Sequence, residues 1–394
     1  MDSRNYSLAD FFSVDADIAG RAKVFGEYMR DIKEKRHLQY RRVSTDGSGP
    51  VMKVRDQYSG KIIAAGREAL EKYGSGAGSV PLLGGTLDIH MELEKKIAKF
   101  KSCEDSIIYT SGFGSNCGTL LSILQKEDIA ILDMYVHASI IDGCKSTNTK
   151  FFRHNDMDSL ERDLEKVKDK YRTKLIVVDG VYSMDGDIAP LDRIVELAEG
   201  YGAYVMIDEA HATGVIGDTG RGTPQHYNIE GKVDIVAGTL SKALGGVGGF
   251  VASRGELVEL LRYYSRPYIF STAMTPQVAG SLLAAIDVIE EEPEHRKKLW
   301  ENIKYFRSNL TALGFDLGNS ETAIFPIIIG DDLKVKEMCR RLHELDIYVN
   351  PVMYPAVPKR LSRIRMSLMS AHTREHLDKA LEALETVGRE YQVI

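Results

Sequence analysis

Tyr204-Val205-Met206-Ile207-Asp208-Glu209-Ala210-His211, followed downstream by Gly238-Thr239-Leu240-Ser241-Lys242-Ala243-Leu244-Gly245-Gly246, decides the fold of this chain. An apolar run closed by a carboxylate reads as a buried parallel strand. Asp208 then stands at the strand's C-terminal end, where α/β sheets build their sites. The second run follows another apolar stretch, 233–237. Strand, Asp, His, glycine-rich turn, strand and Ser241-Lys242 therefore form one βαβ-like unit converging on one sheet edge. Working outward, further short apolar strands are expected at 106–109, 129–132, 175–179 and 249–252. Between them Leu160, Leu164 and Val167, and then Leu191, Ile194, Val195 and Ala198, recur at helical spacing and read as core faces. The alternation predicts an α/β fold with a mostly parallel sheet and helices on both faces.

The organisation on either side is simpler. Residues 1–50 are polar and read as an N-terminal arm with helical pieces around 19–35, residues 51–290 as the large domain, and 291–394 as a small C-terminal α+β domain. The small domain is expected to hold a strand at 325–329, an extended segment at 348–351, a strand at 363–368 and a last helix burying Leu377, Leu381 and Leu384. The chain has 394 residues, 43% hydrophobic and 27% charged, with a net charge of -6 and both signs interspersed. Such a balance offers no basic face for nucleic acid or anionic membrane. No run is long enough to span a bilayer, and the start of the chain has no apolar signal core. Four scattered cysteines form neither a disulfide framework nor a zinc knuckle and fit a reducing, cytoplasmic setting.

The chemistry is carried by residues at strand ends. A buried carboxylate is costly without a cation, and a protonated pyridine nitrogen over Asp208 is such a partner. An amine at Lys242 and an imidazole at His211 complete the set that pyridoxal phosphate requires. Thr110-Ser111-Gly112-Phe113-Gly114-Ser115-Asn116 follows a strand and opens a helix, so its backbone N–H groups can meet a phosphate. His137 follows the next strand on the same edge, where its ring can stack on a planar group. In the loop 179–187, Ser183, like His211, is a candidate to hydrogen-bond the ring oxygen of the cofactor. The three aspartates of that loop lack the ligand pattern of a calcium loop, and no metal is expected. Gly74-Ser75-Gly76-Ala77-Gly78 follows no strand and makes a poor dinucleotide motif. Arg365 alternates with Ile364 and Met366, and its guanidinium suits an amino-acid carboxylate.

Together these segments resemble the α-oxoamine synthases among the fold type I pyridoxal phosphate enzymes. The resemblance runs over 73–373 and includes Gly85-Thr86-Leu87-Asp88-Ile89-His90, Ser111-Gly112-Phe113, 137–143, Asp208-Glu209-Ala210-His211, Ser241-Lys242, Phe270-Ser271-Thr272-Ala273 and 350–358. It implies an aspartate-aminotransferase-like fold, a large seven-stranded sheet domain with a small C-terminal domain. It implies that Lys242 holds the cofactor, Asp208 pairs with the ring nitrogen, His137 stacks on the ring and His211 approaches the ring oxygen. Ser111, Gly112, Phe113, Thr239 and Ser241 would meet the phosphate, with Ser271 and Thr272 reaching over from a second subunit of a homodimer. The implied reaction condenses a small amino acid with an acyl thioester and releases carbon dioxide.

Within the family, Asn350-Pro351-Val352 and the run 366–373 look most like bacterial serine palmitoyltransferases, which implies L-serine, a long-chain acyl thioester and a product such as 3-ketosphinganine. Glycine C-acetyltransferase and 8-amino-7-oxononanoate synthase are the alternative, and a non-catalytic partner subunit a further one. Two departures stand out. Relatives carry Ser-Arg where this chain has Ser79-Val80, which points to an acyl donor of different shape. At 59–64 relatives have a strand and an Asn-rich Tyr-Leu-Gly segment beside the active site; this chain passes from Lys61 directly to Ile62.

Overall fold

The computed structural model describes residues 17–34 and 59–394. Most of the arm expected over 1–50 lies outside the described residues; the part within them is helix α1 (Ile18–Glu34), which matches the helical piece expected there. The described residues divide into two compact units, one of 59–183 and 187–297, the other of 17–34, 184–186 and 298–394.

The larger unit holds a seven-stranded sheet in the order β1-β7-β6-β5-β4-β2-β3. Its strands are β1 (Asp105–Tyr109), β2 (Ile129–Asp133), β3 (Asn148–Phe152), β4 (Lys174–Asp179), β5 (Tyr204–Asp208), β6 (Ile235–Thr239) and β7 (Gly249–Ser253). From β3 to β6 all neighbours are parallel. β7 runs antiparallel to both β6 and β1, so β1 shares the direction of β6. The sheet is thus mostly parallel, as the alternation of apolar runs and helical spacing implies. The helices of this unit are α2 (Ser59–Tyr73), α3 (Asp88–Phe100), α4 (Gly112–Ile123), α5 (Ala138–Gly143), α6 (Met157–Val167), α7 (Leu191–Tyr201), α8 (Thr223–His226), α9 (Gly255–Tyr264), α10 (Arg266–Ile269) and α11 (Pro276–Glu291). Lys61 and Ile62 are consecutive residues of α2, so the chain crosses the junction of 59–64 inside one unbroken helix.

The strands sort their side chains with period two into separate cores. Ile176, Val178, Val205 and Ile207 pack in one cluster with Leu93 and Phe100 of α3 and with Leu191 and Ile194 of α7. Leu175, Val177, Met206 and Ala237 pack on the opposite face with Leu120 of α4 and Ile140 near the start of α5. Each such Ile, Leu or Val is worth about 1.5–3 kcal/mol when fully buried, which makes the register of β4 and β5 hard to shift. The next residues continue the alternation: Asp179 and Asp208, Cα partners across β4 and β5, fall on the face of Met206, whereas Glu209 falls on the face of Phe100.

β3 escaped the reading of the sequence. It is an edge strand whose Asn148, Thr149 and Phe151 are exposed, and it lacks the apolar run that marks its neighbours.

In the smaller unit β8 (Ile324–Ile328), β10 (Arg363–Ser367) and β9 (Asn350–Val352) form an antiparallel sheet in that order. It is accompanied by most of α12 (Glu294–Leu313) and by α13 (Asp332–Glu344) and α14 (Arg374–Glu390). Leu377, Leu381 and Leu384 of α14 are buried, as their spacing predicts.

Candidate active site

The parallel strands deliver their C-terminal residues to one edge. There Tyr109 and Thr239 flank Gly249 on either side, and Asp208 lies between Asp179 and Ala237. Beyond β1, Ser111 caps α4 in an extended conformation, and its hydroxyl accepts the Gly114 N–H at 2.9 Å. The first amides of the helix, which have no partner within it, therefore open at this edge. The cradle is tight. A Cβ on Gly112 would stand 3.0 Å from Cβ of Thr239, and one on Gly249 2.6 Å from Cα of Gly112. The Thr239 and Ser241 hydroxyls are 2.8 Å apart, and Thr239 also donates to the Gly248 carbonyl. Phe113 is exposed and meets the ring of His137 edge-on at 6.4 Å.

Asp208 is 5% exposed. One oxygen accepts the Ala210 N–H at 2.9 Å, which shapes the turn leading to half-buried His211. The other accepts Nδ2 of Asn116 at 2.7 Å. Asn116 donates its second proton to Oγ of Ser139 at 2.9 Å, and that hydroxyl lies 2.7 Å from Nδ1 of His137. Because Nδ1 also receives the Ser139 N–H, it is an acceptor, and the ring proton resides on Nε2.

Beside Asp208, the Asp179 carboxyl is held well above the usual carboxylate range, first by burial and next by the charge of Asp208. The His137 N–H that it accepts at 3.3 Å and the positive charge of Lys242 act in the opposite direction. Lys242 itself follows β6 and is exposed, as is Ser241, while Ser183 is half-buried after β4. Ser271 and Thr272 line a small cavity with Pro81, Thr86, His90 and Glu94, which neither Asp208 nor Thr239 lines. Arg365 belongs to the smaller unit, where its Nη1 donates to Oγ of Ser367 and burial pushes its pKa down.

Two buried charge networks support the edge, and reading the sequence missed both. Lys101, at the end of α3, is 2% exposed and Glu209 not at all; the ammonium donates to Glu209, to Thr213 and to the Arg221 carbonyl. Glu209 accepts the Thr223 N–H besides. Its carboxylate fits because residue 222 is glycine: a Cβ there would come within 1.4 Å of Oε2, at a φ of +108°. Burial lowers the Lys101 pKa and raises that of Glu209, each opposing the charge that its partner favours. The second network places His154 between Asp133 at 3.0 Å and Asp187 at 2.8 Å, its ring stacked on Tyr135. Burial acts to lower the His154 pKa, but the two carboxylates outweigh it and raise the value to about 10.

The donor set fits pyridoxal phosphate. A helix start and two hydroxyls suit its phosphate, a buried carboxylate its basic ring nitrogen, and a neighbouring amine its aldehyde. The chain matches the model of the family aminotransferase class I and II over residues 55–384. Among curated proteins it is similar to 8-amino-7-oxononanoate synthase of Thermoanaerobacter pseudethanolicus, 48% identical over 336 residues and 85% of each chain. It is likewise similar to 8-amino-7-oxononanoate synthase of Symbiobacterium thermophilum, 44% identical over 98% of this chain and 100% of the relative. Among solved structures it resembles serine palmitoyltransferase from S. paucimobilis with bound PLP-myriocin aldimine, with TM-score 0.90, 32% identity, and 96% of this chain and 100% of that one covered. With its fold, its strand-edge residues and these likenesses in agreement, this chain belongs to the aminotransferase class I and II family and, within it, to the pyridoxal-phosphate-dependent α-oxoamine synthases.

Proposed function

We propose that this enzyme condenses L-alanine with a seven-carbon dicarboxylic acyl thioester, releasing carbon dioxide and forming 8-amino-7-oxononanoate. The observation that carries this reading is the identity of 48% and 44% to curated 8-amino-7-oxononanoate synthases, against 36% and 32% to serine palmitoyltransferases of known structure. The product name dictates the substrates. Cut between C7 and C8, an 8-amino-7-oxononanoate is the carbon skeleton of decarboxylated alanine joined to a heptanedioyl group. The comparisons thus favour one of the alternatives drawn from the sequence over its serine-specific reading.

When bound, the cofactor supplies an electron-withdrawing ring that stabilises charge developing at the α-carbon of the amino acid. In the proposed assignment Asp208 would hold a proton on the ring nitrogen, and His137, its Nδ1 accepting from Ser139, would stack on the ring. Ser111, Gly112, Phe113, Thr239 and Ser241 bind the phosphate. Lys242 carries the cofactor at rest and moves the proton at the substrate α-carbon afterwards. His211 and Ser183 serve the ring oxygen. For Arg365 the reading rests on its guanidinium chemistry, suited to a carboxylate. A second copy of the chain would add Ser271 and Thr272 to the phosphate.

The test is the visible absorption of the protein loaded with pyridoxal phosphate and titrated separately with L-alanine, L-serine and glycine, followed by carbon dioxide release with heptanedioyl and with palmitoyl thioester. A spectral change with alanine and turnover with the shorter thioester are expected. Serine with palmitoyl thioester would instead restore the serine reading, and no visible band at all would support the partner-subunit alternative.

A further inference from the structure

Asn116 belongs to no group that the reaction consumes, yet it is 2% exposed and spends both amide protons on the site. The direction of each bond is fixed. With its two N–H groups given to Asp208 and Ser139, the Ser139 hydroxyl must send its own proton to Nδ1 of His137, 2.7 Å away. The amide could not turn over without presenting its oxygen to the Asp208 carboxylate. The orientation leaves Oδ1 buried with no hydrogen-bond partner, an arrangement that folds retain at a cost in stability. An apolar residue in its place on α4 would avoid that cost, so the arrangement calls for a role outside packing.

We propose that Asn116 is a positioning residue that locks Asp208 and, through Ser139, His137 into one hydrogen-bonded frame gripping the cofactor ring at its nitrogen and over its face. The inference rests on the roles assigned above to Asp208 and His137. By donating to the Asp208 carboxylate, Asn116 fixes the acceptor that faces the ring nitrogen. Ser139 reaches the Asp208 carboxylate through Asn116, and the ring's face separately through His137.

The frame is tested with the holoenzyme loaded with pyridoxal phosphate labelled with nitrogen-15 in the ring, reading the ring-nitrogen signal by NMR and the affinity by equilibrium titration. Asn116→Leu is expected to reduce the protonated fraction and to weaken cofactor binding roughly 10- to 100-fold, the range for a hydrogen bond to a charged group. Ser139→Ala should move the ring-nitrogen signal in the same direction by a smaller amount, and should move it less when Asn116 is already leucine. A purely structural role would lower stability without this dependence. The frame is overturned if Ser139→Ala leaves the signal unchanged in the native background, or if its effect persists in full beside Asn116→Leu. Should Asn116→Leu not fold, Ser139→Ala in the native background decides alone. Asp208→Asn is the control: if it leaves the ring nitrogen protonated, the role assigned to Asp208 fails rather than the frame.

Discussion

His154 makes the stability of this protein depend on pH in a direction that can be worked out in advance. Its pKa moves from 6.5 to about 10 between its carboxylate partners. At about 1.4 kcal/mol per pH unit, that corresponds to roughly 5 kcal/mol in favour of the charged ring in the folded state. The side chain is 17% exposed, and screening at its wet edge brings a realistic figure to roughly 3 kcal/mol. A raised pKa means that this stabilisation is complete below the unfolded value of 6.5 and is lost progressively as pH rises towards about 10. The measurement is urea unfolding of the native protein and of His154→Gln at pH 6, 7, 8, 9 and 10. Other groups titrating in the window are common to both proteins and cancel in the difference. Glutamine retains one donor but never the charge, so the gap between the two should be widest at pH 6 and shrink by several kcal/mol by pH 10. A gap that stays constant over this range would refute the reasoning, and would mean that His154 is neutral in the fold.

Two further outcomes follow from buried charge. Removing one member of the Lys101–Glu209 pair with Lys101→Met should cost about 3–5 kcal/mol in urea unfolding, and combining it with Glu209→Gln should recover more than half, because no uncompensated buried charge remains; a double variant as unstable as the single one would contradict this. Glu94 is lifted to about 7 by burial, which Arg262 only partly offsets. For a carboxyl raised in this way the penalty of ionisation appears as pH rises from 4.5 towards 7, so Glu94→Gln should gain roughly 3 kcal/mol on the native protein between pH 5 and pH 8, and a difference that is flat across that range would count against it.

Much of the sheet was legible because burial on both faces writes a strand as an uninterrupted apolar run. β4 and β5, and the positions of Asp208 and Lys242 at strand ends, follow from that alone. Hydrogen-bond partners did not, since they join residues far apart in the chain. Asn116 and Asp208 are 92 positions apart, and the only local hint was an amide among the apolar residues of α4. Alternation likewise tells the face of a side chain and not its partner. Arg365 was singled out in β10, yet Arg363, two residues earlier, is the arginine wholly buried there, bonded to Asp185 and to the Met184 and Leu361 carbonyls. The choice among amino-acid substrates rested on short segments such as Asn350-Pro351-Val352, which lie on a three-residue edge strand and say little of pocket shape.

β5 ends at Asp208 and is followed at once by Glu209, and the two acids turn to opposite sides of the sheet. Chemically almost twins, they are turned by parity alone to different tasks, Asp208 towards the proposed cofactor site and Glu209 into the Lys101 network. The sheet thereby separates the two: a change at residue 208 alters the site edge and leaves the Lys101–Glu209 anchorage on the other face intact.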